Sequence, residues 1–244
     1  MLQVKGLEAA SAGTAILKGL DLELQSGTRA AIMGPNGGGK STFANVLAGN
    51  PSYEVTAGSV IWNGADLLAM TPEARASSGL FLAFQYPPSI PGVPVSQFLR
   101  LCLGAQEAAR GEKLTGGTAY IKRLRSAMQA LKIKPEFAER GVNDGMSGGE
   151  KKRLEMLQLL VLQPTLVILD EIDSGLDIDA LRLVAQAIEL LDRQKTAVLI
   201  ITHYQRLLEY VTPDTVHVLI DGRITQSGGP ELATALERTG YAFA

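Results

Sequence analysis

Short, nearly unbroken apolar runs alternate along this chain with longer stretches whose apolar residues recur at helical spacing. The runs predicted to be buried strands are residues 30–33, 166–169, 197–201 and 216–220. The stretches predicted to be helices are residues 42–48, 179–191 and 231–238. Continuous apolar strands separated by helices are typical of a parallel sheet that is covered on both faces. The pattern therefore predicts an α/β fold with a mostly parallel core sheet.

The amino-terminal part of the chain has a second pattern, in which apolar segments are divided by turn residues. Residues 2–7 and 16–24 are predicted strands of an antiparallel β layer, joined through residues 11–13. Residues 58–62 are a further strand, which enters a tight Asn-Gly turn at residues 63–64. This β layer is expected to lie beside the parallel sheet.

The next two predicted elements are a helix, with Thr71 as N-cap and Pro72 at its first position, and a strand at residues 80–84. The composition of the chain changes after this strand. Residues 85–94 contain four prolines, so this segment is neither a helix interior nor a central strand. We interpret it as an extended connector into a helical region.

That region carries apolar residues at helical spacing, namely Ile121, Leu124, Met128 and Leu131. The basic residues between them are interpreted as a solvated helix face. We therefore expect one domain over residues 1–244. Its core is expected to span about 1–85 and 164–244, and an inserted helical subdomain about 86–163.

Composition narrows the class of protein. Hydrophobic residues make up 46% of the chain, which favours a folded domain with a large core. The chain has 23 basic and 25 acidic residues, and this balance argues against nucleic acid as a main ligand. With one cysteine, Cys102, no internal disulfide is possible, and we expect that thiol to be buried and inert. No apolar run suits a membrane span or a signal peptide, so a cytoplasmic location without direct membrane insertion is expected.

The most informative motif fits the pattern G-x-x-x-x-G-K-[ST] between a predicted strand and a predicted helix. It consists of Gly34, Pro35, Asn36, Gly37, Gly38, Gly39, Lys40 and Ser41. Glycines allow successive backbone N–H groups to converge on one point, and the following helix N-terminus favours a polyanion there. Lys40 would reach the outer phosphates of a nucleotide, and Ser41 would offer its hydroxyl to Mg²⁺. The alternative is a glycine-rich turn that only precedes a helix.

Two carboxylates, Asp170 and Glu171, end the apolar run 166–169. In parallel sheets the carboxyl ends of the strands border the ligand crevice, so Asp170 is expected beside Ser41 as a second Mg²⁺ ligand. Because side chains alternate along a strand, Glu171 points elsewhere and could polarise an attacking water. The alternative is an acidic turn after a strand.

A second glycine motif precedes the helix that stops before Pro164. It consists of Ser147, Gly148, Gly149 and Glu150. The S-x-x-E pattern is a capping box, and a capped helix N-terminus with two small glycines is also an open anion site. Both interpretations hold together. A second anion site makes most sense against a second face of a nucleotide.

Three isolated polar residues complete the set of candidates. His203 follows the strand 197–201 and could contact a γ-phosphate, although a lone histidine is more often structural. The amide of Gln85, at the end of the strand 80–84, could bind Mg²⁺ or a water molecule. Asp177 has a simpler interpretation as the N-cap of the next helix.

Taken together, these motifs resemble those of the ABC-type ATPases in order and spacing over essentially the whole chain. The resemblance implies that residues 34–42, including Thr42, form a Walker A motif that binds ATP. Lys40, Glu171 and His203 would be catalytic, and Ser41, Gln85 and Asp170 would hold Mg²⁺. It also implies that residues 147–150 are a signature motif and that residues 174–177, with Asp177, are a D-loop. Family members act as ATP-dependent head-to-tail dimers, in which the signature of one subunit caps the nucleotide of the other.

Several segments further resemble the SufC group, the soluble ATPases of the SUF iron–sulfur cluster assembly system. The segments are residues 84–87, 90–93, 147–153, 173–180, 202–206 and 222–228. This resemblance implies SufB-like and SufD-like scaffold partners, with the region after Gln85 conveying the nucleotide state to them. The chain departs from the family pattern at Gly38, where serine is usual, and in having no aromatic residue near residues 9–14 that could stack on adenine.

The resulting expectation is an ATPase whose dimerisation on ATP reshapes a scaffold that builds clusters. The ATPase subunit of an importer or exporter is an alternative, since it shares every core motif and differs only in its partner. A nucleic-acid-associated ATPase is disfavoured by the charge balance, and a non-catalytic adaptor by the presence of Glu171 and His203.

Overall fold

The computed structural model of the protein describes residues 1–84, 87–173, 176–203 and 206–241. The strands are β1 (Leu2–Ser11), β2 (Thr14–Leu24), β3 (Arg29–Met33), β4 (Glu54–Trp62), β5 (Ala65–Asp66), β6 (Leu80–Ala83), β7 (Ile90–Pro94), β8 (Gly141–Val142), β9 (Leu166–Asp170), β10 (Ala197–Ile201), β11 (Thr215–Ile220) and β12 (Arg223–Gly228). The α-helices are α1 (Lys40–Ala48), α2 (Pro72–Ser77), α3 (Val95–Ala109), α4 (Gly117–Ala130), α5 (Gly148–Leu162), α6 (Ile178–Glu189), α7 (Arg206–Tyr210) and α8 (Glu231–Thr239). A 3₁₀ helix, Pro135–Glu139, lies between α4 and β8.

The largest sheet in the described residues has six strands in the order β12-β11-β3-β10-β9-β6. All neighbours are parallel except β11 and β12, which form an antiparallel hairpin at one edge. Every residue of β3, β9 and β10 is buried, which accounts for their unbroken apolar sequences. The predicted α/β class with a mostly parallel core sheet is confirmed.

Two hydrophobic cores cover the two faces of this sheet. Along β3, Ala30 and Ile32 pack with α1 and the antiparallel strands, whereas Ala31 and Met33 pack in the core that contains α5 and α6. The same alternation occurs along β9 and β10, as expected for side chains with a period of two. The sheet is therefore packed on both faces, and this packing positions its carboxyl-terminal edge.

The antiparallel layer has the strand order β2-β1-β4-β5. Its strands are longer than predicted: β1 continues to Ser11 and β4 begins at Glu54. The prediction ended β1 too early because register shifts interrupt the pairing of β1 with β2 between Val4 and Leu7 and again at Leu7/Glu8 and Ala9/Ala10. Each shift changes which face a side chain occupies, so the apolar alternation is lost although the strand continues.

Helices α3, α4 and α5 occupy the chain between β6 and β9, and β7 of the proline-rich segment pairs with β8. Leu124, Met128 and Leu131 are buried there, as their spacing predicts. Ile121 is an exception, because 48% of it is exposed. It lies on the rim of a surface groove that Arg100 and Tyr120 also line. Among the helices of the described ranges, none combines the length and apolarity needed to cross a membrane.

Candidate active site

The carboxyl ends of three neighbouring parallel strands bring the main candidate residues together. Strand β3 leads into the loop of residues 34–39, β9 ends in Asp170, and β10 is followed by Thr202 and His203. Because β10 pairs with both β3 and β9, these three ends lie side by side. The sheet thus assembles a single site from residues far apart in sequence.

The loop after β3 has the conformation of an anion cradle. Gly37 and Gly39 have φ of 79° and 104°, which other residues rarely adopt. Gly39 is the N-cap of α1 and carries no capping side chain, so the first amides of the helix are available to a ligand. The Gly38 N–H closes the turn by donating to the Pro35 carbonyl at 3.2 Å. Such a loop can bind a phosphate chain through backbone donors alone.

The Lys40 side chain folds back against the start of this loop. It is only 4% exposed, and its Nζ donates to the carbonyls of Gly34 at 2.9 Å and Pro35 at 3.0 Å. The same Nζ lies 3.6 Å from Glu171 Oε1. A buried ammonium group that is held by loop carbonyls can turn to a phosphate oxygen without being taken out of bulk water.

Ser41 and Asp170 meet at the start of α1. The Ser41 hydroxyl donates to Asp170 Oδ1 at 3.0 Å. Burial raises the pKa of Asp170 to about 6, an effect to which the nearby Glu171 carboxylate adds. A hydroxyl and a carboxylate that already share one point are oxygen donors of the kind Mg²⁺ prefers, and Mg²⁺ sites commonly use only one or two protein ligands. These residues therefore fit the metal that accompanies a nucleotide.

Glu171 occupies the first position beyond β9 in a left-handed conformation with φ of 47°. Its N–H donates to the Ile201 carbonyl at 2.9 Å, which fixes this strained residue against the end of β10. Its carboxylate Oε1 lies 3.4 Å from His203 Nδ1. The sequence interpretation had Glu171 and Asp170 diverge through strand alternation, but the left-handed turn sets the direction of Glu171. The resulting group of Lys40, Glu171 and His203 can accept or hold a proton near a bound phosphate.

Two residues that the sequence interpretation missed support this group. Thr202 is fully buried, and its hydroxyl donates to Asp173 Oδ2 at 2.7 Å. Asp173 is 4% exposed, and burial raises its pKa. The Thr202 N–H also donates to the Ile32 carbonyl at 3.1 Å. The segment after β9 is thereby joined to the segment after β10, next to Glu171 and His203. The sequence did contain a signal for these two residues, because Asp173 lies two positions after Glu171 and Thr202 directly precedes His203.

The second glycine motif stands apart from this group. Ser147 caps α5, its side chain accepting from the Glu150 N–H at 3.3 Å while the Ser147 N–H donates to Glu150 Oε2 at 2.9 Å. Arg140, another residue not singled out from the sequence, forms an ion pair with Glu150. The Ser147 N–H and this guanidinium lower the pKa of Glu150 to about 2. No hydrogen bond or ion pair between described residues joins this motif to residues 34–41.

The remaining candidates lie at the edge of the described structure. Asp177 is the N-cap of α6, and its side chain accepts from the Ala180 N–H at 2.8 Å. Gln85 lies outside the described residues, as do Ser174 and Gly175 of the predicted D-loop. Phe84, directly before Gln85, is 46% exposed. Cys102 is half-buried, and burial raises the pKa of its thiol, so the expected full burial is wrong although low reactivity remains expected.

Curated proteins align with this chain over nearly its whole length. Residues 17–174 fit the family model described as ABC transporter. A probable ATP-dependent transporter of Synechocystis is 50% identical over 243 residues, which are 100% of this chain and 95% of that protein. A probable ABC transporter ATP-binding protein of Streptococcus pyogenes is 49% identical over 242 residues, which are 99% of this chain and 94% of that protein.

Among solved structures, a similar chain is an ATP-binding cassette in a dimeric post-hydrolysis state bound to ADP and Pi. The two chains superpose with a TM-score of 0.78 at 20% identity, over 94% of this chain and 99% of that chain. At this level of identity the likeness establishes the fold.

Proposed function

The chain belongs to the ABC family of ATPases, and we propose that it is the ATP-hydrolysing subunit of a SUF-type assembly machine for iron–sulfur clusters. In this proposal, ATP binding and hydrolysis change the shape of a scaffold made of SufB-like and SufD-like proteins. The observation that carries the ATPase part is the convergence of Lys40, Ser41, Asp170, Glu171 and His203 at one edge of the core sheet.

In the proposed reaction, backbone amides of residues 34–42 hold the phosphate chain of ATP, and the Lys40 ammonium turns from its loop carbonyls to the outer phosphates. Ser41 and Asp170, with Gln85, would hold Mg²⁺. When bound, Mg²⁺ supplies positive charge against the phosphate oxygens. Glu171 acts as the base that orients and deprotonates the attacking water, and His203 beside it contacts the γ-phosphate side.

We further propose that the catalytic unit is a head-to-tail dimer. Ser147, Gly148 and Gly149 are exposed, Glu150 is half-buried, and the space beside Gly148 and Gly149 is open to at least 4 Å. The cassette described above as an ADP and Pi complex was solved as a dimer. As the family resemblance implies, a head-to-tail dimer of this chain would place the motif on the nucleotide of a second copy. Asp177, exposed at the start of α6, would lie along that interface.

The partner-facing surface is proposed to lie around the connector that follows β6. A groove lined by Phe81, Phe84, Cys102, Gln106 and Leu162, among others, opens between α2, α3 and α5. Its floor is apolar. Phe84, the residue directly before Gln85, lies at one edge of the groove. A partner segment that binds in this groove would respond to movement of the connector.

The SUF assignment is supported by the sequence segments 84–87, 90–93, 147–153, 173–180, 202–206 and 222–228. A transporter subunit is the second candidate, and a specific observation favours it: the similar Synechocystis and Streptococcus proteins are named as a probable transporter and a probable transporter ATP-binding protein. Both candidates share the ATP site and differ in what occupies the groove.

The deciding experiment is a gentle affinity purification of the tagged chain from its own cells, followed by mass spectrometry and iron analysis. We expect two soluble scaffold proteins and iron to co-elute. Multi-spanning membrane proteins in their place would overturn the SUF assignment and support the transporter. The Phe84→Asp variant is the control: it should release genuine groove partners while it retains ATP hydrolysis by the isolated chain. Partners that remain bound to this variant would contradict the proposed docking surface.

A further inference from the structure

The turn between β11 and β12 touches the back of the loop of residues 34–39, which we call the phosphate loop. The Gly222 N–H donates to the Gly38 carbonyl at 3.0 Å, and the Gly222 carbonyl accepts from the Lys18 N–H at 3.0 Å. Asp221 also forms an ion pair with the Lys18 ammonium. One two-residue turn therefore connects the phosphate loop, the core sheet and strand β2 of the antiparallel layer.

The fit at this junction depends on the absence of side chains. A Cβ on Gly222 would overlap the Ile16 carbonyl oxygen, and one on Gly34 would overlap the Leu219 carbonyl oxygen. A Cβ on Gly38 would come within 2.8 Å of the same Leu219 oxygen. Gly34, Gly38 and Gly222 thus allow the hairpin and the loop to approach closely.

The hydrogen bond from Gly222 has a consequence for the phosphate site, because a peptide unit is planar and trans. Its C=O and N–H point in opposite directions. When the Gly38 carbonyl is fixed toward Gly222, the N–H of Gly39 in the same peptide unit is fixed toward the opposite side, away from the hairpin. Gly39 is the N-cap of α1, so its N–H belongs to the cradle at the helix N-terminus.

We propose that the Asp221–Gly222 turn is a positioning element for the phosphate cradle: by holding the Gly38 carbonyl, it orients the Gly39 N–H toward the nucleotide. The proposal rests on the proposed ATP site and adds a positioning role for Gly222, which touches no part of the substrate. Lys18 supports this role from the antiparallel layer by holding both the carbonyl of Gly222 and the carboxylate of Asp221.

The test compares two glycines in turns of the same kind. Gly222 has φ of 77° and follows Asp221 at 47°, whereas Gly64 has φ of 84° and follows Asn63 at 50°. A Cβ on Gly64 meets no atom within 4 Å, and that turn lies on the β4–β5 hairpin. Gly222→Ala and Gly64→Ala therefore introduce similar backbone strain. Only Gly222→Ala should displace the phosphate loop.

The measurements are the Kd for ATP, the Kd for tripolyphosphate, which has no base or sugar, and the kinetics of ATP hydrolysis. Gly222→Ala should raise both Kd values and the KM about tenfold or more, as expected for a lost N–H bond to an anion, with kcat at saturating ATP within about threefold of wild type. Gly64→Ala should change none of these. A folded Gly222→Ala chain with wild-type Kd for tripolyphosphate would overturn the proposal.

Amide NMR on the wild-type chain tests the same idea without a variant. The Gly222 N–H should exchange slowly with and without tripolyphosphate, and the Gly39 N–H resonance should shift when tripolyphosphate binds. Rapid exchange of Gly222, or an unchanged Gly39 resonance, would contradict the proposal. A wild-type chain that binds neither ATP nor tripolyphosphate would instead contradict the proposed function, so the two failures are distinguishable.

Discussion

The phosphate loop and the signature motif are both glycine-rich turns before a helix, but they differ in their surroundings. Most of the phosphate loop is enclosed by its own chain: Lys40 is 4% exposed, Thr42 is 8% exposed, and Gly34 leaves no space for a side chain, although Asn36 and Gly37 at the tip of the loop are exposed. At the signature motif, Ser147 and both following glycines are exposed, and nothing lies near the position of an added Cβ on Gly148 or Gly149.

The two motifs therefore differ in where the groups that surround them come from. The ends of β9 and β10 bring Asp170, Glu171 and His203 to the loop that follows β3, so in the proposed ATP site the groups around the phosphates come from a single chain. The signature motif satisfies its own backbone through a capping box, and among the described residues its one ionic partner is Arg140. Its exposed face is therefore open to a group from outside the chain, which fits the proposed dimer.

Replacing Lys40 with Ala should produce the largest effect, because it removes the positive charge from the enclosed motif. We expect ATP affinity to fall at least about 100-fold and hydrolysis to be lost with it. Lys195→Ala is the control, since that lysine also has an acidic partner, Asp192, but its side chain is 78% exposed. Equilibrium binding of ATP measures the difference. Unchanged affinity in Lys40→Ala would contradict its phosphate role.

Replacing Glu171 with Gln should separate binding from chemistry. The amide keeps the size of the side chain but cannot act as a base, so kcat should fall about 10²–10⁴-fold while the Kd for ATP stays within a few-fold of wild type. Asp179→Asn, which neutralises an 89% exposed acid on α6, is the matched control and should hydrolyse ATP normally. Normal single-turnover hydrolysis by Glu171→Gln would show that the base is another group.

Much of the enclosed motif could be predicted because its signals are local. The apolar run of β3, the glycines that follow and the two carboxylates after β9 each determine their own structure within a few residues. The meeting of Ser41 and Asp170 follows from one further rule, that parallel strands end at the same edge of a sheet. The caps Thr71 and Asp177 were predictable for the same local reason.

Other features could not be predicted because they depend on the approach of distant segments. No local pattern indicates that Gly222 donates to Gly38, or that Thr202 binds Asp173. The left-handed conformation of Glu171 requires the Ile201 carbonyl, which belongs to another strand. The exposure of Ile121 depends on how α4 packs, which the spacing of its apolar residues leaves open.

A comparison of two helix caps tests whether Ser147 of the signature motif has a role in ATP turnover besides capping its helix. Ser147 and Thr71 each accept one N–H bond at 3.3 Å, so Ser147→Ala and Thr71→Ala should each lower the free energy of unfolding by about 1 kcal/mol. Only Ser147→Ala should also lower ATP turnover, by about tenfold, with the ATP affinity of the isolated chain unchanged. Thermal unfolding and steady-state kinetics measure both effects. Equal turnover in the two variants would mean that Ser147 is only a cap.

Glu150→Gln should have the smallest effect, on stability, and its pH dependence identifies the contacts. The pKa of Glu150 is lowered to about 2 in the folded chain by the Ser147 N–H and Arg140, against 4.5 ordinarily. Because the folded pKa is lowered, the stabilising contribution is complete above about pH 4.5 and is lost as the pH falls toward 2. Wild type should therefore melt about 1–2 °C above Glu150→Gln at pH 6–7, and the gap should close as the pH drops below 4.5. A gap that stays constant across this range would show that the charge of Glu150 contributes nothing to the stability of the cap, so that its contribution to stability comes from the geometry of the capping box alone.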